Sequence, residues 1–270
     1  MQKANYKIYK NKILEIRLFI TVIFTFFAAS IFAQNRIQDN NAIAWGGIFT
    51  TTKFNDKWSW HAEFQCRRVD EIKTPQQNLF RTGINYQLNK KVLFRLGYTH
   101  AETFPYGKYP LNSMGKQYSD NRAFEMISIS DKINQIDLTN RFMLEQRFVG
   151  KYSSATLTQE DDYSFVNRIR YMFRMQMPLQ KKLTSKHAPY LVLYDEIFIG
   201  FGKNVGENVF DQNRIGVLFG YKFNELVKIE GGYLSQIVQL GREVDNKNVF
   251  QYNSGLMLNT IWGFDLRRSK

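Results

Sequence analysis

The sequence predicts an all-β fold: a single antiparallel transmembrane β-barrel of the outer-membrane type, with about ten to twelve strands, preceded by a cleavable signal peptide. Three observations carry this reading. After Gln34 polar and apolar residues alternate with period two, and no window of helical periodicity persists. Aromatic residues make up 16% of the chain, yet its mean hydropathy is only -0.40; this suits a wall with one face in lipid and the other toward a polar lumen. Connections between the alternating segments are short and long by turns, as on the two rims of such a barrel.

The candidate strands follow in order. The first covers 42–54. The second, 57–68, has the cleanest alternation: Trp58, Trp60, Ala62, Phe64 and Cys66 oppose Ser59, His61, Glu63, Gln65 and Arg67. In the third, 78–88, Phe80, Thr82, Ile84, Tyr86 and Leu88 oppose Arg81, Gly83, Asn85 and Gln87. In the fourth, 91–101, Val92, Phe94, Leu96 and Tyr98 oppose Arg95, Gly97 and Thr99. The fifth covers 122–130. In the sixth, 136–148, Leu138, Phe142, Leu144 and Phe148 oppose Arg141, Glu145 and Arg147. In the seventh, 164–177, Ile169, Tyr171, Phe173 and Met175 oppose Arg168, Arg170 and Arg174. The eighth covers 189–200. In the ninth, 212–223, Ile215, Val217, Phe219, Tyr221 and Phe223 oppose Arg214, Gly216, Gly220 and Lys222. The tenth covers 226–238. In the eleventh, 249–266, Leu256, Leu258, Trp262 and Phe264 oppose Asn259, Gly263 and Asp265. Many approach the ~9–11 residues of a tilted membrane strand.

Short connections fall near 55–57, 89–90, 131–135 and 224–225, with a longer one at 179–188. Long ones fall near 69–77, 102–121, 149–163, 201–211 and 239–248. Eleven candidates conflict with the even strand number of bacterial single-chain barrels. The first would also start on the long-loop side. The expectation is therefore ten or twelve strands, or a segment 34–41 that threads the lumen.

Composition narrows the function classes. The chain has 270 residues and a net charge of +13. Its one cysteine, Cys66, excludes a disulfide framework and any multi-cysteine metal centre. Low hydropathy excludes a polytopic helical membrane protein, which needs repeated apolar runs of ~20 residues. Residues 1–33 read as a signal peptide: Lys3, Lys7, Lys10, Lys12 and Arg17 precede the apolar run LFITVIFTFFAASIF, and Ala33 precedes Gln34. Residues 34–270 are then one exported barrel domain. Export to the cell outer membrane makes its lipid the expected partner and removes nucleic acid despite the basic balance. No cofactor is expected, and three scattered histidines give no metal-ligand spacing.

A soluble β-sandwich also alternates. Two further features favour the membrane barrel. Trp58, Tyr86, Tyr221, Phe223 and Phe264 share outward parity beside short turns, as an interfacial aromatic girdle would. The opposite face mixes Arg, Glu, Asn and Gly. In order, the stretches KWSWHAEFQCRR (57–68), RFMLEQRF (141–148), RIRYMFR (168–174), YDEIFIGFG (194–202), NRIGVLFGYKF (213–223) and VKIEGGYL (227–234) resemble the uncharacterised outer-membrane barrel family known as domain of unknown function 2490. The resemblance covers about residues 42–266. It implies an exported β-barrel and no established activity.

The charged stripe is the principal candidate site. Strand parity points Arg67, Arg81, Arg95, Arg141, Arg147, Arg168, Arg170, Arg174 and Arg214 inward, with Glu63, Glu145, Glu196 and Glu230. One reading is a lumen cross-braced by Arg–carboxylate forks. The other is a small channel or site that attracts anions or other small solutes. No catalytic signature stands out, so the protein is expected not to be an enzyme. Two alternatives differ in class. One is a rim hydrolase around His100, with Glu102, Ser119 and Asp120 nearby in sequence. The other is a soluble periplasmic barrel that binds an apolar ligand. Cys66 reads as a small lipid-facing residue. The loop TFPYGKYPLNSMGKQYSD (103–120) reads as a solvated surface loop, with a lid over the mouth as the alternative. The basic loop 180–187 reads as solvated on the short-turn side. The chain ends without the terminal aromatic residue that many such barrels carry.

Overall fold

Main-chain hydrogen bonds join eleven strands into a closed barrel in this computed structural model, which describes residues 36–180 and 187–267. The strands are β1 (Arg36–Lys53), β2 (Trp58–Val69), β3 (Thr74–Gln87), β4 (Val92–Thr103), β5 (Tyr118–Ile133), β6 (Ile136–Lys151), β7 (Asp162–Pro178), β8 (Ala188–Phe201), β9 (Phe210–Lys222), β10 (Val227–Val244) and β11 (Lys247–Asp265). Among the described residues none is helical. The signal peptide proposed for 1–33 and most of the basic loop 180–187 lie outside the described residues.

Each strand pairs antiparallel with the next in sequence, and β11 returns to β1. Ten reversals of direction leave β1 and β11 running the same way, so the closing seam is parallel. The Leu266 amide donates to the Lys53 carbonyl at 2.9 Å there, and Asn41 Nδ2 donates to Asn253 Oδ1 at 3.1 Å. Glycine is required at the seam: a Cβ on Gly255 would fall 1.8 Å from the Ile43 carbonyl oxygen. Eleven strands fall within the ten to twelve expected and match the eleven candidates; only the preference for an even number is corrected. An even count follows only when the closing pair is antiparallel. Residues 36–41 do not thread the lumen; they are the first third of β1.

Two of the expected long loops are tight turns. Between β2 and β3 the chain turns through Asp70, Glu71 and Ile72, all left-handed (φ 52, 55 and 76°). Between β10 and β11 Asp245 and Asn246 (φ 50 and 56°) form a two-residue hairpin with positive φ at both positions, which matches the strand twist. The strands run past their apolar pattern because the residues there are polar and inward: Gln76 and Gln239 are buried.

On the opposite rim one turn is built three times. Asn55, Asn89 and Asn224 each accept two main-chain amides through Oδ1 at 2.8–3.0 Å. In each the preceding Phe54, Leu88 or Phe223 amide donates four residues ahead at 3.0 Å. The side chain of asparagine closes its own turn, so one sequence pattern suffices for all three hairpins.

Alternation divides the side chains by face. Phe64, Phe80, Leu96, Phe142, Phe219 and Leu256 stand on the outer surface, Leu256 67% exposed. Glu125 and Asp195 also face outward, each with an amide partner, Gln146 (3.1 Å) and Asn213 (2.6 Å). The interior carries small apolar clusters and a large polar network. Tyr190 and Tyr194 of β8 lie against Gly220 and Gly216 of β9, where a Cβ would meet the tyrosine rings at 2.2 and 2.1 Å.

Candidate functional site within the barrel

Glu145 of β6 is the hub of the interior and is fully buried. It faces Arg168 directly across the β6–β7 pair, so its Oε2 accepts both Nε (2.7 Å) and Nη2 (2.5 Å) of that guanidinium. Its Oε1 accepts Arg170 Nη1 at 2.8 Å, with Arg81 and Arg122 each 3.8 Å away. Around the hub, Glu63 accepts Arg81 at 2.6 Å and meets His61 at 3.1 Å. Glu196 accepts Arg141 and Arg170, both at 2.7 Å. Asp120 accepts Arg122 (2.7 Å) and Arg147 (2.5 Å). Asp211 pairs with Arg168. Glu230 accepts Arg174 at 2.6 Å and the Tyr190 hydroxyl at 2.9 Å. Direct cross-strand register makes the Glu145–Arg168 and Glu63–Arg81 forks; the other pairs reach along one strand, diagonally, or across the lumen between strands that are not neighbours.

Three stripe arginines have no carboxylate within 4.0 Å among the described residues. Arg95 donates to Asn85 at 2.6 Å. Arg67 donates to Gln65 and Gln77, both at 2.7 Å. Its guanidinium also lies 4.0 Å over the Trp45 ring. Arg214 donates to Gln212 at 2.9 Å and lies 4.9 Å over Trp45 and 4.6 Å over Phe198. Aromatic faces and amide oxygens stabilise these cations without neutralising them.

The segment between β4 and β5 packs into one mouth. It is not the solvated loop expected. Tyr106 is buried, donates to Gln251 Oε1 at 2.7 Å and accepts Asn253 Nδ2 at 3.2 Å. The Tyr109 amide donates to Asp39 (3.1 Å), and Gln251 Nε2 donates to the Tyr109 carbonyl (2.9 Å). Arg242 of β10 holds the Pro110 and Leu111 carbonyls at 2.7 and 3.0 Å. Tyr106 and Leu111 join Ile43, Trp45, Val69 and Leu234 in an apolar cluster. Apolar residues and orphan carbonyls thus both find partners inside, which draws the loop in.

Two cavities flank the arginine layer. The one beneath the loop holds about 400 Å³; the one toward the short-turn rim holds about 230 Å³. Trp45, Arg67, Arg81, Arg170 and Arg214 line both and form the partition.

Elsewhere the rim residues separate. His100 lies on the outward face of β4, its Nδ1 2.8 Å from Asn121 Oδ1, which also accepts the Tyr98 hydroxyl at 2.6 Å. Asp120 points inward and is buried. Ser119 Oγ donates to Glu160 at 2.5 Å. Asp120 faces the other way from His100, and Ser119, on the outward face, gives its hydroxyl to Glu160, so His100 bonds Asn121 and neither of them. In the β6–β7 loop, hydrogen bonds from Ser153 hold the Asp161 carboxyl below the usual carboxylate range. Among the described residues no group of three His, Cys, Asp or Glu could hold a metal ion. The five girdle aromatics sit by the short-turn rim: Trp58 packs on Tyr86 and Tyr221 on Phe223, each at 4.9 Å between centroids, with Phe264 near the end of β11. Cys66 is half-buried.

Sequence reasoning placed Asp120 at the rim with His100 and not in the stripe, and missed Arg122 of β5, Asp211 of β9, and the inward aromatics Trp45, Phe124 and Phe198. Parity was the available signal: Asp120, Arg122 and Phe124 alternate just as the stripe does.

The sequence profile of the family described as Protein of unknown function (DUF2490) matches residues 42–247. No curated protein matches the chain.

Proposed function

We propose that this chain, which belongs to the DUF2490 family of proteins of unknown function, is a non-enzymatic integral outer-membrane β-barrel whose lumen is closed in its resting state. The observation that supports this reading is its inverted polarity. Leu96 and Leu256 stand 65% and 67% exposed on the outer wall, while Glu145 and Arg168 inside are 0% and 2% exposed. In water that arrangement leaves apolar surface wet around the whole barrel and hides charges at high cost. In a bilayer the same wall is solvated by lipid, and closure satisfies every strand edge. The girdle of Trp58, Tyr86, Tyr221, Phe223 and Phe264 then marks one membrane–water boundary.

Closure of the lumen rests on the loop held by Arg242 and on the partition around Glu145. Two experiments test the proposal. Alkaline carbonate should leave the protein in the outer-membrane pellet; release into the supernatant refutes the membrane assignment and favours a soluble barrel. In planar bilayers the folded protein should be silent. Discrete anion-preferring steps from the wild type would refute the closed lumen and establish a channel.

A further inference from the structure

We propose that the cavity beneath the β4–β5 loop is a binding site for a small oxyanion of phosphate size, free or as the terminal group of a small solute. This rests on the closed-lumen reading above and names what the closed chamber holds.

The argument starts from charge. The chamber is lined by Arg67, Arg122, Arg147, Arg168 and Arg214, among others. Its two lining carboxylates, Asp120 and Asp211, are already engaged by Arg122, Arg147 and Arg168. Arg67 and Arg214 reach the chamber from opposite sides of the β1 strand order, and both lie over Trp45 with only glutamine oxygens as acceptors. Two like charges gathered on one indole repel each other, and a purely structural brace would set a carboxylate between them.

The chamber wall adds charge of the same sign. Buried Arg122 also lines it, and the carboxylate it pairs with, Asp120, is shared with Arg147. An anion in the chamber would offset this excess of guanidinium over carboxylate. The volume, about 400 Å³, admits a phosphate with several waters or a small phosphorylated or carboxylated solute. Gln212 and Gln236 on the chamber wall carry amides that can donate to such a ligand.

The test uses the full mature barrel in detergent micelles, with inorganic phosphate as the probe and sulfate and succinate as comparison anions, followed by calorimetry. Phosphate should bind saturably. Arg214→Gln and Arg67→Gln should each weaken it by about tenfold or more, the loss of one charge-assisted hydrogen bond. Arg95→Gln should leave affinity unchanged, because Arg95 lacks a carboxylate too but does not line the chamber. A gel mobility shift on heating verifies that each variant is folded. Absence of binding of all three anions to folded wild type overturns the proposal, as does equal affinity in folded Arg214→Gln and wild type. If Arg214→Gln does not fold, Arg67→Gln decides. Binding by a protein that carbonate releases from membranes would refute the membrane assignment and leave this site standing. A membrane-embedded barrel that binds none of the anions would refute this site alone.

Discussion

Replacing Glu145 by Gln removes the single negative charge around which Arg168, Arg170, Arg81 and Arg122 are arranged. The substitution keeps size and shape, so cavity formation does not enter. Three charge-assisted hydrogen bonds are lost or weakened, from Arg168 Nε and Nη2 and from Arg170 Nη1. The glutamine oxygen can still accept one of them, but its amide would point N–H groups at a guanidinium. Each hydrogen bond to a charged group contributes ~1.5–3 kcal/mol, and breaking a buried ion pair by removing one partner costs ~3–5 kcal/mol. Arg168 keeps Asp211 and Arg170 keeps Glu196, which caps the loss. The expected destabilisation is therefore about 3–5 kcal/mol, read as a lower denaturant midpoint in urea unfolding of the barrel in lipid vesicles. The double variant Glu145→Gln with Arg170→Gln should lose less than the sum of its parts, because it also removes one of the buried cations that lost an acceptor. A loss below about 1 kcal/mol in the single variant would refute the hub, and strict additivity would refute the coupling.

Other expectations are separable from this one. Trp45→Ala should cost about 3–5 kcal/mol, since it empties a buried ring site and frees Gln76 as well as both stacked arginines; a midpoint shift under a third of that would contradict the role assigned to the ring. Arg242→Ala should release the β4–β5 loop while the strands persist, seen as faster amide exchange or protease cleavage within 104–117; unchanged protection there would show that Tyr106 alone holds the loop. Asn246→Val should destabilise by about 1–2 kcal/mol through a β-branched residue at positive φ, whereas Asn246→Gly should be tolerated; equal midpoints for the two would remove the turn argument. Glu125→Leu, between Leu96 and Leu144 on the outer wall, should raise the midpoint in bilayers, and a lowered one would argue against lipid contact at that position.

Much of this barrel is legible in its sequence for one physical reason: a strand with two different environments must alternate. The positions where parity points inward, Glu63, Arg81, Glu145, Arg168 and Glu196, are buried side chains in mutual contact. Alternation fails as a guide where both faces are polar or where the pattern meets a loop. Gln76 and Gln239 belong to strands, yet look like loop residues, because they are polar and face inward at the mouth, where they bond Trp45 and the Glu207 carbonyl. The same blindness kept Asp120 and Arg122, at the loop end of β5, out of the inward stripe. The inserted loop itself is not readable from periodicity. Its Tyr106 and Leu111 find partners on β1 and β10, more than sixty residues away in either direction, and only the closed wall brings them together. The three asparagine turns were legible in principle: Phe-Asn, Leu-Asn and Phe-Asn recur at 54–55, 88–89 and 223–224.

The parallel seam has a consequence for engineering. In a barrel with an even number of strands the first and last strands leave the same rim, and a few residues can splice them into a circle. Here β1 starts at one rim and β11 finishes at the other. At ~3.3 Å per residue, the 18 residues of β1 extend on the order of 60 Å before tilt is considered. Any splice joining them must travel the height of the wall, through the lumen or along the outer surface. Circular permutants of this protein should therefore fail at short linker lengths that suffice for its even-stranded counterparts, and splitting the chain at a hairpin should succeed only when both fragments are supplied separately.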